Sequence, residues 1–198
     1  MLVTSMLLAG LFFGVAKSAS ATTEQSGASD CQTVTTTTTD ECAALVALYQ
    51  ATDGPNWAAQ NNWLTFTAGA PCNWQGVECI AGHVTGLSLA ANSLSGTIPY
   101  TIGLLANLTT LDLANNALTG HVPSAICTLV PTMLDANLGY NALVTSSKRA
   151  TTCLTKLDPD WRATQTVEPR NLRISEFYTS SLRLSWQAIP YTADGGGY

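Results

Sequence analysis

The sequence predicts an α/β repeat solenoid, a short parallel sheet behind an N-terminal helical cap, with a truncated β-sandwich fragment at the C-terminus. Three observations carry this expectation. In the centre of the chain, Leu87, Leu89, Asn92, Leu94, Gly96, Ile98, Pro99, Ile102 and Leu105 recur as Leu111, Leu113, Asn116, Leu118, Gly120, Val122, Pro123, Ile126 and Leu129. A segment rich in tryptophan and cysteine precedes them, and two short runs of alternating apolar residues follow. Nine positions repeating in one register at a spacing of 24, from Leu87 to Leu111, define a stacked architecture in which each unit buries its neighbour's apolar face.

The repeats are placed at residues 84–143. Each Leu-x-Leu reads as a short strand whose leucines point into the stack and whose other residues point to solvent. A third copy, Leu138, Asn141 and Leu143, follows after one extra residue and lacks the Gly-x-Ile-Pro portion, as expected of a terminal repeat. A carboxamide carries both donor and acceptor groups. Asn92, Asn116 and Asn141 therefore read as a structural ladder that satisfies backbone groups at stacked turns. Gly96-Thr97-Ile98-Pro99 and Gly120-His121-Val122-Pro123 turn the chain, with proline where no N–H is needed.

Residues 40–83 form the predicted cap. A helix is expected from Asp40, whose carboxylate accepts first-turn N–H groups. Leu45, Leu48 and Tyr49 share a face, and Asp53-Gly54-Pro55 ends the helix. Trp57, Trp63 and Trp74 read as a small packed core in preference to a sugar-stacking platform. Residues 22–39, with a threonine run at Thr35 to Thr39, bury no core and are expected to be a flexible spacer. Residues 1–21 read as a signal peptide: an apolar run from Met6 to Ala16, then the cleavage site Ala19-Ser20-Ala21. That run is shorter than the ~20 residues that cross a bilayer. Export makes disulfides of the six cysteines, Cys31, Cys42, Cys72, Cys79, Cys127 and Cys153. Residues 144–168, with Lys148, Arg149, Cys153 and Lys156, read as a C-terminal cap and linker. Beyond them Leu172, Ile174 and Phe177, then Leu182, Leu184 and Trp186, have the alternation of two strands.

Three stretches resemble known families. Cys72-Asn73-Trp74-Gln75-Gly76-Val77-Glu78-Cys79 resembles the C-x-W-x-G-V-x-C signature of the plant-type leucine-rich-repeat N-terminal cap. Leu45 to Tyr49, Asp53 to Trp57 and Asn62-Trp63-Leu64 are similar to the version found in secreted bacterial and algal proteins. The Gly-x-Ile/Val-Pro elements resemble the plant-type class of repeat. This resemblance spans about residues 40 to 143. It implies a concave parallel sheet, a second small sheet at the Gly-x-Ile-Pro segments, and a Cys72–Cys79 bond at the front. Cys127 and Cys153, which flank the last repeat, are then expected to close the back, and Cys31 and Cys42 are the pair that remains. Residues 169–198 resemble the start of a fibronectin type III domain. Pro169 to Ile174 looks like its first strand and Ser181 to Trp186 its second, with Trp186 at the core tryptophan position. Two of about seven strands leave an apolar face and an edge uncovered, so poor packing is expected beyond Pro169.

Charge narrows the function. The net charge is −5, and Lys17 is the only basic residue before Lys148. Eight acidic residues lie between Thr22 and Leu143: Glu24, Asp30, Asp40, Glu41, Asp53, Glu78, Asp112 and Asp135. Nucleic-acid binding needs a positive footprint that this region lacks. Beside the plain reading of a solvated acidic surface stands an acidic face for a cationic partner. His83 and His121 have no nucleophile in context, and no G-x-S-x-G occurs. Asp112 and Asp135, on neighbouring strands, are a carboxylate pair of the kind a glycosidase uses, although solvated surface is the ordinary reading. Cys72, Cys79 and His83 lack the fourth ligand of a zinc site. No enzyme, cofactor or metal is therefore expected.

The function expected is a secreted or cell-surface binding or adhesion module that recognises a protein, peptide or glycan. Its ligand face comprises Thr85, Ser88, Ala90 and Ala91, then Thr109, Asp112, Ala114 and Asn115, then Asp135, Asn137 and Tyr140. The alternatives are a structural spacer of a larger surface protein, or a non-catalytic accessory region of an exocellular hydrolase or receptor. Any membrane attachment lies outside this chain. Asn107-Leu108-Thr109 has the spacing of an N-glycosylation sequon.

Overall fold

The Leu-x-Leu periods fold as short strands held in one register. In the computed structural model, residues 30–166, 170–177 and 181–187 are described; the signal-peptide reading falls outside them. Strands β1 (Val77–Ile80), β2 (His83–Ser88), β4 (Thr110–Asp112) and β6 (Asp135–Asn137) form one sheet in the order β1-β2-β4-β6. β2, β4 and β6 run parallel, with Leu87 beside Leu111 and Leu111 beside Ala136. β1 pairs antiparallel with β2 at the front edge. Strands β3 (Ser95–Gly96), β5 (Ala117–His121) and β7 (Ala142–Val144) form the second sheet, also parallel. Each repeat returns through a 3-10 turn, Tyr100–Leu104 after Pro99 and Ser124–Thr128 after Pro123. Between these layers Leu87, Leu89, Leu94, Ile102, Leu105 and Leu108 are buried, as are Leu111, Leu113, Leu118, Ile126 and Leu129 one period later. Each such side chain contributes about 1.5–3 kcal/mol by leaving water.

The asparagines hold the turns together. Asn116 Oδ1 accepts from the N–H groups of Asn92 and Leu94, each at 3.0 Å, while its Nδ2 donates to the Leu89 and Leu113 carbonyls at 2.9 Å. One repeat later Asn141 Oδ1 accepts from Leu118 N–H at 3.0 Å and its Nδ2 donates to the Leu113 carbonyl at 2.9 Å. At the front Asn92 finds no preceding repeat and bonds both ways with the Ala59 backbone. At the back the next rung is a glutamine. Gln165 Oε1 accepts from Leu143 N–H at 2.9 Å, and its Nε2 donates to the Leu138 and Trp161 carbonyls. Nothing in the period pointed to Gln165.

The N-terminal cap differs from the sequence expectation at its start. Helix α1 is Thr39–Ala51, and its cap is Thr38, not Asp40. Thr38 Oγ1 accepts from Glu41 N–H while the Glu41 carboxylate accepts from Thr38 N–H, a reciprocal capping box that a lone Asp40 does not offer. Asp40 and Glu41 instead place negative charge in the first turn, where the helix dipole favours it. The threonine run is consequently ordered at its end. Cys31–Thr33 forms a 3-10 turn, Cys31 is bonded to Cys42, and the Thr36 hydroxyl donates to the Ala70 carbonyl. The flexible-spacer reading therefore fails for residues 30–39, because a disulfide and a helix cap anchor what composition alone leaves free.

Helix α1 is buried on most sides, through Cys42, Ala44, Leu45, Val46, Leu48 and Tyr49, because it lies between the aromatic cluster and the first repeat. Trp57, Trp63 and Trp74 are buried, with centroids 4.8 Å apart for the first two and 5.1 Å for the second pair. Their indole N–H groups donate to the carbonyls of Thr52, Gln75 and Thr65. Buried rings offer no stacking platform for sugar. The helix end also docks the second sheet: Gly96, at φ 89°, lies where a Cβ would sit 2.4 Å from the Ala51 carbonyl oxygen.

Helix α2 (Lys148–Leu157), capped by Ser147, closes the back, and Cys127–Cys153 ties it to the second 3-10 turn. Cys72–Cys79 closes the front. By loop entropy the longer back loop contributes about 3.5 kcal/mol and the front loop about 2.5 kcal/mol. Strands β8 (Arg170–Phe177) and β9 (Leu182–Gln187) pair antiparallel, with Ile174 beside Leu184. Ile174, Leu182 and Leu184 are 51%, 55% and 45% exposed, so this pair alone does not shelter them.

Two measurements test this account. Asn116→Ala orphans two N–H groups and should cost about 3 kcal/mol in chemical denaturation, at roughly 1–3 kcal/mol for each buried group left unpaired; a loss within experimental error would refute the ladder. The second concerns Asp158, whose buried carboxylate accepts from Leu138 N–H at 2.8 Å. Burial pushes its pKa up, partly opposed by the N–H groups of Leu138, Asp160 and Trp161. The folded state therefore holds the proton more tightly than the unfolded one. This contribution to stability is complete below the ordinary carboxylate value, near ~3.9, and is lost as pH rises through the raised one. Relative to Asp158→Asn, the native chain should lose unfolding free energy over that window.

Candidate binding face

The alternation of the parallel strands presents two polar rows on the side of the sheet away from the leucines. Ser88, Asp112 and Asn137 stand beside one another across β2, β4 and β6. Glu78, Gly86, Thr110 and Asp135 form the neighbouring row, which β1 extends by one residue. Leu87 and Leu111 lie between the rows and are buried, which fixes the opposite direction for both. Ser88, Asn137, Asp135 and Glu78 are exposed, and Asp112 and Thr110 are half-buried.

The hairpin that brings Glu78 to the face depends on Gly76. At φ 80°, Gly76 passes so close to β2 that a Cβ would lie 2.3 Å from the Ser88 carbonyl oxygen, and the Gly76 carbonyl accepts from Ser88 N–H at 2.8 Å. Sequence reasoning missed Glu78 and Thr110. The alternation around buried Val77 and buried Leu111 carried the signal for both.

Other residues of the expected face have different roles. Thr109 Oγ1 donates to the Thr85 carbonyl at 2.9 Å, and Thr85 Oγ1 to the Glu78 carbonyl at 3.5 Å. These two hydroxyls cross-tie strands. Ala114 is buried, contrary to its expected outward position, because its N–H turns back to Asp112 Oδ1 at 3.1 Å. Asn137 Oδ1 does the same for Gly139 N–H at 3.1 Å. Ala91, Asn115 and Tyr140 occupy the same left-handed position in successive repeats, at φ 51°, 55° and 54°. All three are exposed, and Tyr140 lies in the turn after β6, the last strand of the sheet.

Asp112 lies across from Asn137 and Asp135 across from Thr110, so the two carboxylates are diagonal neighbours and not a facing pair. His83 Nδ1 lies 3.2 Å from buried Glu41 Oε1, on the cap side, and His121 is exposed on β5 of the other sheet. Cys72 and Cys79 are bonded to each other, and among the described residues no cluster of His, Cys, Asp and Glu fits a metal ion. The face carries Glu78, Asp112 and Asp135. Lys148, Arg149 and Lys156 belong to α2, with Arg162 following it.

A family model described as Leucine Rich Repeat matches residues 107–129. The chain is 34% identical over 68 residues to the leucine-rich repeat receptor protein kinase EMS1 of Arabidopsis thaliana, covering 34% of this chain and 6% of that protein. It is 43% identical over 61 residues to the brassinosteroid LRR receptor kinase BRL3 of Oryza sativa subsp. japonica, covering 30% of this chain and 5% of that protein. The chain thus spans only a small fraction of the length of these relatives. Among solved structures, the BIR2 ectodomain from Arabidopsis thaliana is 29% identical at a TM-score of 0.48, covering 58% of this chain and 60% of that one. A leucine-rich repeat protein from Bacteroides eggerthii is 18% identical at 0.44, covering 59% and 33%. The segment matched by the Leucine Rich Repeat model lies inside the central stack of strands and 3-10 turns.

The face should tolerate change where its supports do not. Asp135→Asn and Ser88→Ala should leave unfolding within about 0.5 kcal/mol of the native chain. Gly76→Ala should cost more than about 1 kcal/mol, because the new Cβ meets fixed backbone at a positive φ. Equal effects in thermal unfolding would refute this division.

Proposed function

We propose that the chain is an exported binding module that presents the two polar rows of its parallel sheet to a positively charged protein or peptide segment. The observation that carries this reading is the row arrangement itself. Glu78, Asp112 and Asp135 share one face, no basic residue stands among them, and the leucines behind supply the packing. Export is supported by the signal-peptide pattern and by the pairing of all six cysteines in an oxidising-compartment manner. The named relatives are receptor kinases, and a receptor or adhesion protein is the kind of assembly this module fits. No catalytic step is assigned to it. We read β8 and β9 as the opening of a fibronectin type III domain, supported by their antiparallel register and by apolar residues that need a further layer.

A glycan ligand is favoured by one observation, the Tyr140 side chain, 48% exposed at the turn after β6 and in the same left-handed position as Asn115 one repeat earlier. The face is small against the roughly 1,200–2,000 Å² of a stable interface, so contacts from outside it would be needed for tight binding.

Titration with lysine- and arginine-rich peptides, neutral peptides and neutral oligosaccharides separates these readings. Cationic peptides should bind, and added salt should weaken them. Each exposed ion pair contributes about 0.5 kcal/mol. The triple variant Glu78→Gln, Asp112→Asn, Asp135→Asn should therefore bind about tenfold more weakly. Binding unchanged in that variant would overturn the proposal, and binding of neutral sugars alone would favour the glycan reading.

A further inference from the structure

The face leaves one surface feature of the repeats unused. Asn107-Leu108-Thr109 is the single Asn-x-Ser/Thr triplet in the sequence. It sits at a turn closed by Leu108 N–H donating to the Leu105 carbonyl at 3.0 Å. Leu108 is buried and anchors the triplet, while Ala106 and Asn107 are exposed. The Asn107 carboxamide contrasts with the ladder asparagines. Asn116 and Asn141 each donate to three backbone carbonyls, and a bulky group on either Nδ2 would destroy the core. Asn107 Nδ2 reaches Glu41 Oε1 at 3.4 Å, at the long limit of a hydrogen bond.

We infer that Asn107 is an N-glycan acceptor, with the sugar standing on the rim where the cap meets the first two repeats. In the reaction, Nδ2 attacks the anomeric carbon of an oligosaccharide carried on a lipid diphosphate. The N–C bond forms, the bond from that carbon to the phosphate oxygen breaks, the lipid diphosphate leaves, and Nδ2 gives up one proton. No electron transfer is involved. One N–H remains on Nδ2, enough for the single contact with Glu41. In the folded protein the Thr109 hydroxyl is engaged by the Thr85 carbonyl at 2.9 Å. The transfer therefore belongs to the entering chain, before β2 and β4 pair, and the exposed turn then lets the fold close with the sugar outside. The glycan would cover the Glu41–His83 pair, at the end of the strands opposite Asn115 and Tyr140. Such a bulky, solubilising group is tolerated at surface positions alone.

The test uses the full chain behind a secretory leader in an N-glycosylating host, with intact mass measured before and after peptide N-glycosidase in both cell and secreted fractions. The expected result is a single glycan, released by the enzyme with conversion of position 107 to aspartate. Asn107→Gln, which keeps a carboxamide for Glu41, should lose the glycan completely, and Thr109→Ser should retain it. A disulfide-bonded chain whose mass the enzyme leaves unchanged overturns the inference. So does a glycan that persists in Asn107→Gln.

Discussion

A buried turn has backbone donors with nowhere to go, and this molecule answers with the carboxamide of Asn116. Its oxygen takes the N–H groups of Asn92 and Leu94 from the repeat in front, and its nitrogen serves the Leu89 and Leu113 carbonyls. An unpaired buried donor costs about 1–3 kcal/mol, comparable to burying a leucine. The contact therefore sets the distance and register between neighbouring repeats as firmly as the apolar core does. The strands pair Leu87 with Leu111 because the turns beyond them are already tied.

A ladder of this kind is unfinished at both ends, and the two caps complete it with unrelated chemistry. At the front the Ala59 backbone takes both atoms of the Asn92 carboxamide, held there by the tryptophan cluster and the Cys72–Cys79 hairpin. At the back Gln165 stands in for the missing asparagine, and the Asp158 carboxylate accepts from Leu138 N–H. The burial of Asp158 raises its pKa, so the closure works against the charge of the group that makes it. One side chain longer by a methylene and one carboxylate do at the back what a carboxamide does inside the stack.

With the leucines packed from behind, the outward rows carry no share of the apolar core. That division explains why polar residues of very different kinds, Ser88, Asp112 and Asn137, occupy one row without disturbing the strands. It also limits the face. Asp112 and Asn137 each spend an oxygen on the turn that follows, and Thr85 and Thr109 are drawn into cross-strand bonds. The acidic residues of these rows are Glu78, Asp112 and Asp135, from the front strand to the last one.

The sequence by itself determined the period, the strand positions and the direction of each leucine. Those features follow from local stereochemistry repeated at a fixed spacing: alternation in a strand, a carboxamide at a buried turn, proline where no donor is needed. The cap helix was legible too, though Asp40 looked like its start because a single acidic residue at a helix end is a weaker local signal than the Thr38–Glu41 reciprocal pair turned out to be. Tertiary structure alone decided what meets across unequal distances. Gln165 and Asp158 find Leu143 and Leu138 from outside the repeat, and no period relates them. Cys31 and Thr36 are ordered by partners at Cys42 and Ala70, so a stretch with the composition of a spacer becomes part of the cap. Glu78 joins the acidic strip because Gly76 lets a non-repeat hairpin press against β2. Each of these depends on which surfaces the stacked repeats leave open, a property of the assembled solenoid that no local pattern encodes.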